Sequence, residues 1–551
     1  MLVRLSLTVA PMRPPRLLAR WASLALLTLL LPGPARAQEP ENAVPAARGP
    51  IIDTVIISRQ DVFDSVEARN WLAHLANGLH VTTTQGVVRN ELLFKAGEPF
   101  DSARVAETAR NLRALGIFRD VRIDTLRTDS TVKVLVTTQD AWSTRLALSF
   151  RSTGSQIAFT VGANEGNLLG TGSQALLIYS KNPDRSSWQV GFARSRLIAR
   201  RIGVLALYND LSDGTAAQVT VAAPFYSLET RWGVGVTGRS FSGRVFQYTN
   251  GQPVPSDTLQ RRFGLLQMEA AYAPVAGPGG HLRLGLSGYA KRDDFVPQSS
   301  TGPIPSTVSG TFGPFVQATR PRFLVVRNFL GFKNQEDVDI SSTVRVGAYV
   351  ALQDFGYVRS GVGPALIASA GTRLPSGFAI FSGRASGLYS AAGLDSGSAI
   401  VAGTVVFQPG LRHMILLHGD AGWQRGAAPG DEFDLGLGIG PRAFPAHAFT
   451  GNRAFYGTAE YRWILTEEFL SVIGIGLAGF ADYGGAWYDG TPSRTGTDFG
   501  VGLRLGPSRV AGEPPLRIDL AYRLANDVEG NGWVVVIQKG FPFAALRFDQ
   551  F

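Results

Sequence analysis

The sequence contains no cysteine among its 551 residues. Disulfides and thiolate metal sites are therefore excluded. Export into an oxidising compartment stays compatible, because a large domain needs no covalent staples. Histidine is scarce, with only His74, His80, His281, His413, His418 and His447 present. No two of them stand at an HExxH or similar metal-binding spacing. No Gly-x-Ser-x-Gly elbow and no Walker loop occurs. Long apolar runs are missing too. After residue 37 no stretch reaches the roughly 18 apolar residues of a membrane helix. Charge is modest, at 17% of residues against 45% apolar. Of the net +10, five units come from Arg4, Arg13, Arg16, Arg20 and Arg36, which leaves +5 for the remainder. No basic stripe interleaved with aromatics appears, so no nucleic-acid partner is expected.

Glycine is abundant, with 64 residues and no collagen-type period. Glycine in strands permits tight bends and close backbone approach, so the composition leans towards all-β structure. The N-terminus has the three parts of a secretory signal. Arg13, Arg16 and Arg20 supply the charge, Trp21 to Leu31 the apolar run, and Ala35-Arg36-Ala37 the small-x-small cleavage site. The apolar run is too short to span a bilayer, which takes about 20 residues. Translation could start at Met1 or at Met12. Residues 1–37 are thus read as a signal peptide and 38–49 as a Pro/Ala/Glu-rich linker.

Residues 50–140 mix strands with helices. Ile51 to Ser58 reads as a strand, 59–81 as a helix, and Thr84 to Phe94 as another. Asp101 is a helix N-cap, with Phe100 and Val105 as a hydrophobic staple. Gly116 ends that helix in a left-handed turn. Two strands follow, one with Val121 and Ile123, the other with Val132, Val134 and Val136, across a Thr128-Asp129-Ser130 turn.

From about residue 141 to 551 the pattern changes to segments of alternating polarity. Tyr461 and Trp463 alternate with Glu460 and Arg462. Tyr483 alternates with Asp482, Leu503 with Arg504, and Leu520 and Tyr522 with Arg517, Asp519 and Arg523. A period of two gives one apolar and one polar face. A soluble sandwich would alternate as well. Three features favour a transmembrane antiparallel β-barrel: aromatics at the ends of the apolar faces, full charges on the opposite faces, and an export signal with no other membrane device. Five strands are expected after residue 450, at about 453–463, 473–483, 497–505, 515–523 and 532–541.

The chain resembles the BamA/TamA-type outer-membrane assembly barrels, the surface-antigen barrels that follow periplasmic POTRA modules. Leu92-Leu93-Phe94-x-x-Gly97-Glu98-Pro99-Phe100-Asp101 and Arg110-Asn111-Leu112-Arg113-x-Leu115-Gly116-Ile117-Phe118-x-Asp120-Val121 are similar to POTRA segments. One such module fits before the barrel. Asn167-Leu168-Leu169-Gly170-Thr171-Gly172 resembles a turn between early barrel strands. Gly440-Pro441-Arg442-Ala443-Phe444 resembles the family's Val-Arg-Gly-Phe/Tyr loop, with Pro and Ala replacing the Val and Gly. The resemblance implies a barrel of about sixteen strands. Between 261 and 408, however, seven candidate strands stand where the family has three, and a raw tally gives about twenty. It further implies that the loop folds into the lumen, where Arg442 meets Glu460 and Asp482 beside Phe444. That lock either serves transport or only restrains the loop. A weak seam is implied between the first strand, near Leu146 and Leu148, and the last, near Val535 and Ile537. A terminal aromatic for outer-membrane targeting would be Phe541 or Phe551.

The expected function is an outer-membrane assembly factor that folds or inserts β-barrel proteins through this seam, with the POTRA module receiving clients in the periplasm. A single-partner secretion transporter is the alternative, and a passive channel a third reading. Lumenal acid pairs could imitate an outer-membrane hydrolase, but nothing supplies a nucleophile. No enzyme, cofactor or metal is therefore expected. The expected partners are outer-membrane lipids, unfolded barrel or secreted clients, and periplasmic chaperones or lipoproteins. Gly277-Pro278-Gly279-Gly280 reads as a hairpin turn, and His447 as a loop residue.

Overall fold

Alternating apolar valines against a helix with a clean N-cap make a small two-layer unit at the N-terminal end. The computed structural model describes residues 50–540, apart from 64–73, 75–76, 79, 129, 154–155, 199–200, 250–251, 254–258, 298–306, 438 and 511–512. The signal peptide, the linker, most of the 59–81 helix, Phe541 and Phe551 therefore lie outside the described residues.

In this unit β1 (Ile51–Gln60), β2 (Phe118–Arg127) and β3 (Thr131–Asp140) form a sheet in the order β1-β3-β2. β1 runs parallel to β3 and β2 antiparallel to it. Helices α1 (Gln85–Glu91) and α2 (Ser102–Ala114) pack on the sheet. Ile52, Val88, Leu112, Val132, Val134 and Val136 are fully buried between the layers. Asp101 caps α2 by accepting the Ala103 N–H at 2.8 Å, and Gly116 follows it at φ +67°. α1 stops three residues before the expected Phe94, since Leu92 is already extended. Phe94 still contributes to the core.

The remainder is a closed antiparallel barrel of twenty strands. It runs from Thr144–Thr153 to Gly532–Lys539. The sixteen strands implied by the resemblance are exceeded, and the raw tally of about twenty agrees with the structure. The stretch from Leu259 to Gly410 holds seven wall strands, as many as the candidates counted there, and each pairs on both edges. Seven in place of three adds four, and the total stays even, as a closed single-chain barrel of this kind requires. The last five strands, starting at Arg453–Phe469, stand where expected, the first three of them longer than read.

Side-chain alternation sorts the wall. Tyr461, Trp463 and Tyr483 face outward, whereas Glu460, Arg462, Arg504, Arg517 and Asp519 are buried inside. Large apolar groups such as Leu286, Val501, Trp232 and Trp533 are more than 60% exposed on the outer surface. In water such a band would be costly at roughly 25 cal/mol per Å²; facing lipid it is satisfied.

The α+β module lies across one mouth of the barrel. Its Thr84 N–H donates to Gly170 O at 2.9 Å, and Asn167 Nδ2 donates to Thr83 Oγ1 at 2.8 Å. The Asn-Leu-Leu-Gly-Thr-Gly turn is thus where the barrel grips the module. Asn167 also folds that turn, its Oδ1 accepting the Gly172 N–H at 2.8 Å. Arg196 pairs with Glu91. Arg104 pairs with Glu229 at 2.9 Å, and Glu107 accepts the Leu228 N–H at 2.7 Å.

Candidate functional site

The loop 426–452 links wall strands His413–Arg425 and Arg453–Phe469 at the mouth opposite the module. It turns into the lumen instead of projecting outward. A short hairpin, Phe433–Leu435 with Phe449–Gly451, starts the turn. Phe444 and Phe449 are both fully buried, their ring centroids 5.0 Å apart. This apolar foot sets Arg442 against the inner wall.

Arg442 is 1% exposed. Its Nε donates to Asp482 Oδ2 at 2.5 Å and its Nη2 to Asp482 Oδ1 at 3.0 Å. Its Nη1 donates to Asp519 Oδ2 at 2.8 Å and lies 3.6 Å from Glu460 Oε2. The guanidinium also stacks 3.6 Å above the Phe480 ring. The structure thus brings together Arg442, Phe444, Glu460 and Asp482, the four residues singled out in the sequence. Bidentate pairing of this kind fixes both position and orientation.

Sequence reasoning missed the rest of the cluster. Asp519 was legible as a lumenal acid, but its partnership with Arg442 was not, because it lies 77 positions away. Arg504 bridges Glu460, at 2.9 Å, and Asp519, at 2.5 Å. Arg462 donates to Glu460 at 2.6 Å. Asp498 accepts the Ala443 N–H at 3.0 Å. Ala443 is fully buried, its methyl packed with Phe480, Ala521, Val534 and Val536. Four arginines (442, 462, 504 and 517) share the buried cluster with four acids (460, 482, 498 and 519).

The seam lies beside this cluster. Among the described residues, the first and last strands pair at Val536↔Arg151 and Ile537↔Phe150. The neighbouring pair of strands is joined along its whole length, from Leu516↔Lys539 to Arg523↔Gly532. Leu146, Leu148 and Val535 are exposed on the outer surface. Ile537 stands opposite Phe150, so neither Leu146 nor Leu148 is its direct partner. The inner loop spans the seam from within. Arg151 Nη1 donates to Leu437 O at 2.8 Å, and the Ala446 N–H donates to Gln156 Oε1 at 2.8 Å. On the other side, Arg523 Nη1 donates to Ala443 O at 2.9 Å.

His447 secures the loop's outer part. It stacks on Tyr248 with centroids 3.5 Å apart. Its Nδ1 is 2.5 Å from Asp434 and its Nε2 3.2 Å from Asp184. Burial would lower its pKa, but hydrogen bonds to Asp184 and Asp434 outweigh that and raise it to about 9. A histidine pKa raised by folding stabilises fully below about pH 6.5, and the gain disappears as pH rises through about 9. At about 1.36 kcal/mol per unit the contribution is on the order of 3 kcal/mol. Protease sensitivity of the loop should therefore increase between about pH 6.5 and 9 in the parent protein. In His447→Gln that rise should vanish; an unchanged pH profile in the variant would assign the effect elsewhere.

Residues 77–139 match the POTRA family, described as a surface antigen variable number repeat. No curated protein matches the sequence. Among solved structures, the chain is similar to BamA of Haemophilus ducreyi lacking POTRA domains 1–3, at 10% identity and a TM-score of 0.39, over 88% of this chain and 84% of that one. It is similar to CdiB from Acinetobacter baumannii at 12% identity and a TM-score of 0.44, over 89% and 73% of the two chains. CdiB from Escherichia coli gives 12% and 0.44, over 96% and 100%. Fold and module together define the class: a β-barrel protein of the outer membrane. It carries a POTRA module, on the periplasmic side of the twenty-strand barrel.

Proposed function

We propose that this protein is an assembly factor of the BamA/TamA type, within the Omp85 superfamily, that folds or inserts other β-barrel proteins into the outer membrane. It acts without a cofactor and catalyses no covalent chemistry. The observation that carries this reading is the seam, with two paired positions between the first and last strands. A missing rung deprives backbone donors and acceptors of their strand partner, and an unpaired backbone group facing lipid is costly. An edge in that state is a template for an incoming strand by β-augmentation. The inner loop bridges the seam from the lumenal side, so release of the loop and parting of the wall are coupled. The POTRA module, gripped at the periplasmic mouth, is placed to receive chains arriving from the periplasm. Folding free energy of the client drives the step.

The test uses the absence of native cysteine. Directly opposed residues in an antiparallel pair have Cα atoms about 4.5–5.5 Å apart, which suits a disulfide. The register selects Phe150→Cys with Ile537→Cys. The oxidised protein should cross-link completely, and insertion of barrel clients into lipid vesicles should fall to the uncatalysed rate. Reduction should restore it. Full cross-linking with undiminished client handling would sink the seam mechanism and favour passage of a secreted partner through the lumen.

A further inference from the structure

A second insertion enters the barrel from the periplasmic end. Between wall strands Thr307–Arg320 and Ser342–Ala351 the chain leaves the wall and forms a hairpin, Phe323–Arg327 with Gln335–Asp339. It departs after the tenth strand of the barrel, and its tip reaches the sixteenth to eighteenth, across the mouth.

The tip, residues 328–334, is a prefolded knot. Glu336 accepts the N–H groups of Phe329, Leu330 and Gly331 at 3.1, 2.8 and 2.8 Å. Asn328 Oδ1 accepts the Lys333 N–H at 2.7 Å. Both Asn328 and Lys333 hold left-handed backbone, at φ +62° and +64°, a conformation that persists only where surroundings enforce it. The far wall has space shaped for this tip. Phe332 rests on the backbone of Gly474 and Gly506, where an added Cβ would come within 2.1 and 2.8 Å of its side chain. Phe329 meets Phe378 edge-on at 5.2 Å. Asn328 donates to Glu467 at 2.7 Å and Asn334 to Val510 O at 2.9 Å. The cavity left between tip and wall is about 20 Å³, room for about one water.

The hairpin is tied at both ends. At its base Arg113 of α2 forms a bidentate pair with Asp337, at 2.5 and 2.9 Å, and Arg110 lies 4.7 Å above Phe323. At its tip Phe329 O accepts from Arg462 at 3.4 Å, the arginine that holds Glu460 in the Arg442 cluster.

We propose that this hairpin is a plug that closes the periplasmic mouth, and that α2 of the POTRA module holds it shut through the Arg113–Asp337 pair. A partner that draws α2 away from the mouth removes the brace and frees the tip from the wall. The inference stands whether the protein inserts clients or secretes one.

Met414 is buried beside the tip, and a cysteine there reports on opening. The full chain with Met414→Cys, embedded in lipid nanodiscs, would be labelled with a charged, membrane-impermeant maleimide. Labelling should be slow in this parent. It should accelerate about tenfold or more with Arg113→Glu or Asp337→Arg, since either variant replaces a charge-assisted pair with like charges. It should return to the parent rate in the double charge swap. Phe332→Ala, which keeps the brace and weakens the seal, should also accelerate it. Equal rates in the parent and both single charge variants would overturn the brace, and an unchanged rate in Phe332→Ala would overturn the plug. Heat-modifiable gel mobility reports the closed wall in every variant.

Discussion

Replacing Arg442 by alanine is expected to free the inner loop while leaving the twenty-strand wall closed. The guanidinium makes two hydrogen bonds to Asp482 and one to Asp519, and all three residues are at most 1% exposed. Its removal takes both guanidinium hydrogen bonds from Asp482, which keeps the Tyr456 hydroxyl at 3.3 Å and its neighbour Asp498. Asp519 keeps Arg504. The cluster loses one of its positive charges. Breaking one partner out of a buried ionic group costs on the order of 3–5 kcal/mol, and lumenal water reduces that figure. Since the loop also bridges the seam through Leu437 and Ala446, protease cleavage of the loop and spontaneous seam opening should rise together. Asp482→Asn and Glu460→Gln should act in the same direction. A double-mutant cycle on loop protection should give clear coupling to Arg442→Ala. Additivity to within about 0.3–0.5 kcal/mol would show that the residues do not act as one unit.

Gly502→Ala should damage the same cluster without removing a charge. Gly502 stands directly opposite Asp519. A Cβ added there would lie 2.0 Å from Asp519 Oδ1 and 2.7 Å from Arg504 Nη1. The 2.5 Å bond between those two groups would have to open, and overpacking of this kind costs about 1–3 kcal/mol before the ion pair is counted. Gly479→Ala is the matched control, because a Cβ at Gly479 meets nothing within 4 Å. Thermal unfolding of the two variants in detergent should separate them by several degrees. Equal stability would mean that the Arg504–Asp519 contact carries none of the lock.

The positions of individual groups were legible wherever the signal was local. Alternation put Glu460, Asp482 and Asp519 inside before any partner was known, since a strand's period of two assigns faces from sequence alone. The N-cap at Asp101 and the left-handed stop at Gly116 depend on neighbours within a few residues, and both stand where read. The strand count was only half legible. The seven alternating segments were visible, but whether each joins the wall depends on pairing along both edges. The segment 321–341 carried no local sign that it would leave the wall and cross the mouth. Its placement depends on glycines at 474 and 506, well over a hundred residues away.

The sequence by itself determined the two-part architecture and the inward and outward faces of the strands, while Arg442 and its pairing with two acids were singled out through the resemblance of their motifs to a known family. Tertiary structure decided that every candidate between 261 and 408 joins the wall, that Asp519 and Arg504 complete the charge cluster, and that the seam, among the described residues, is held at two positions and spanned by the inner loop. The division follows from range. Periodicity and capping are set by energies between residues adjacent along the chain. Closure of a barrel joins its two ends, and a buried charge is satisfied by whichever strands the closure sets beside it.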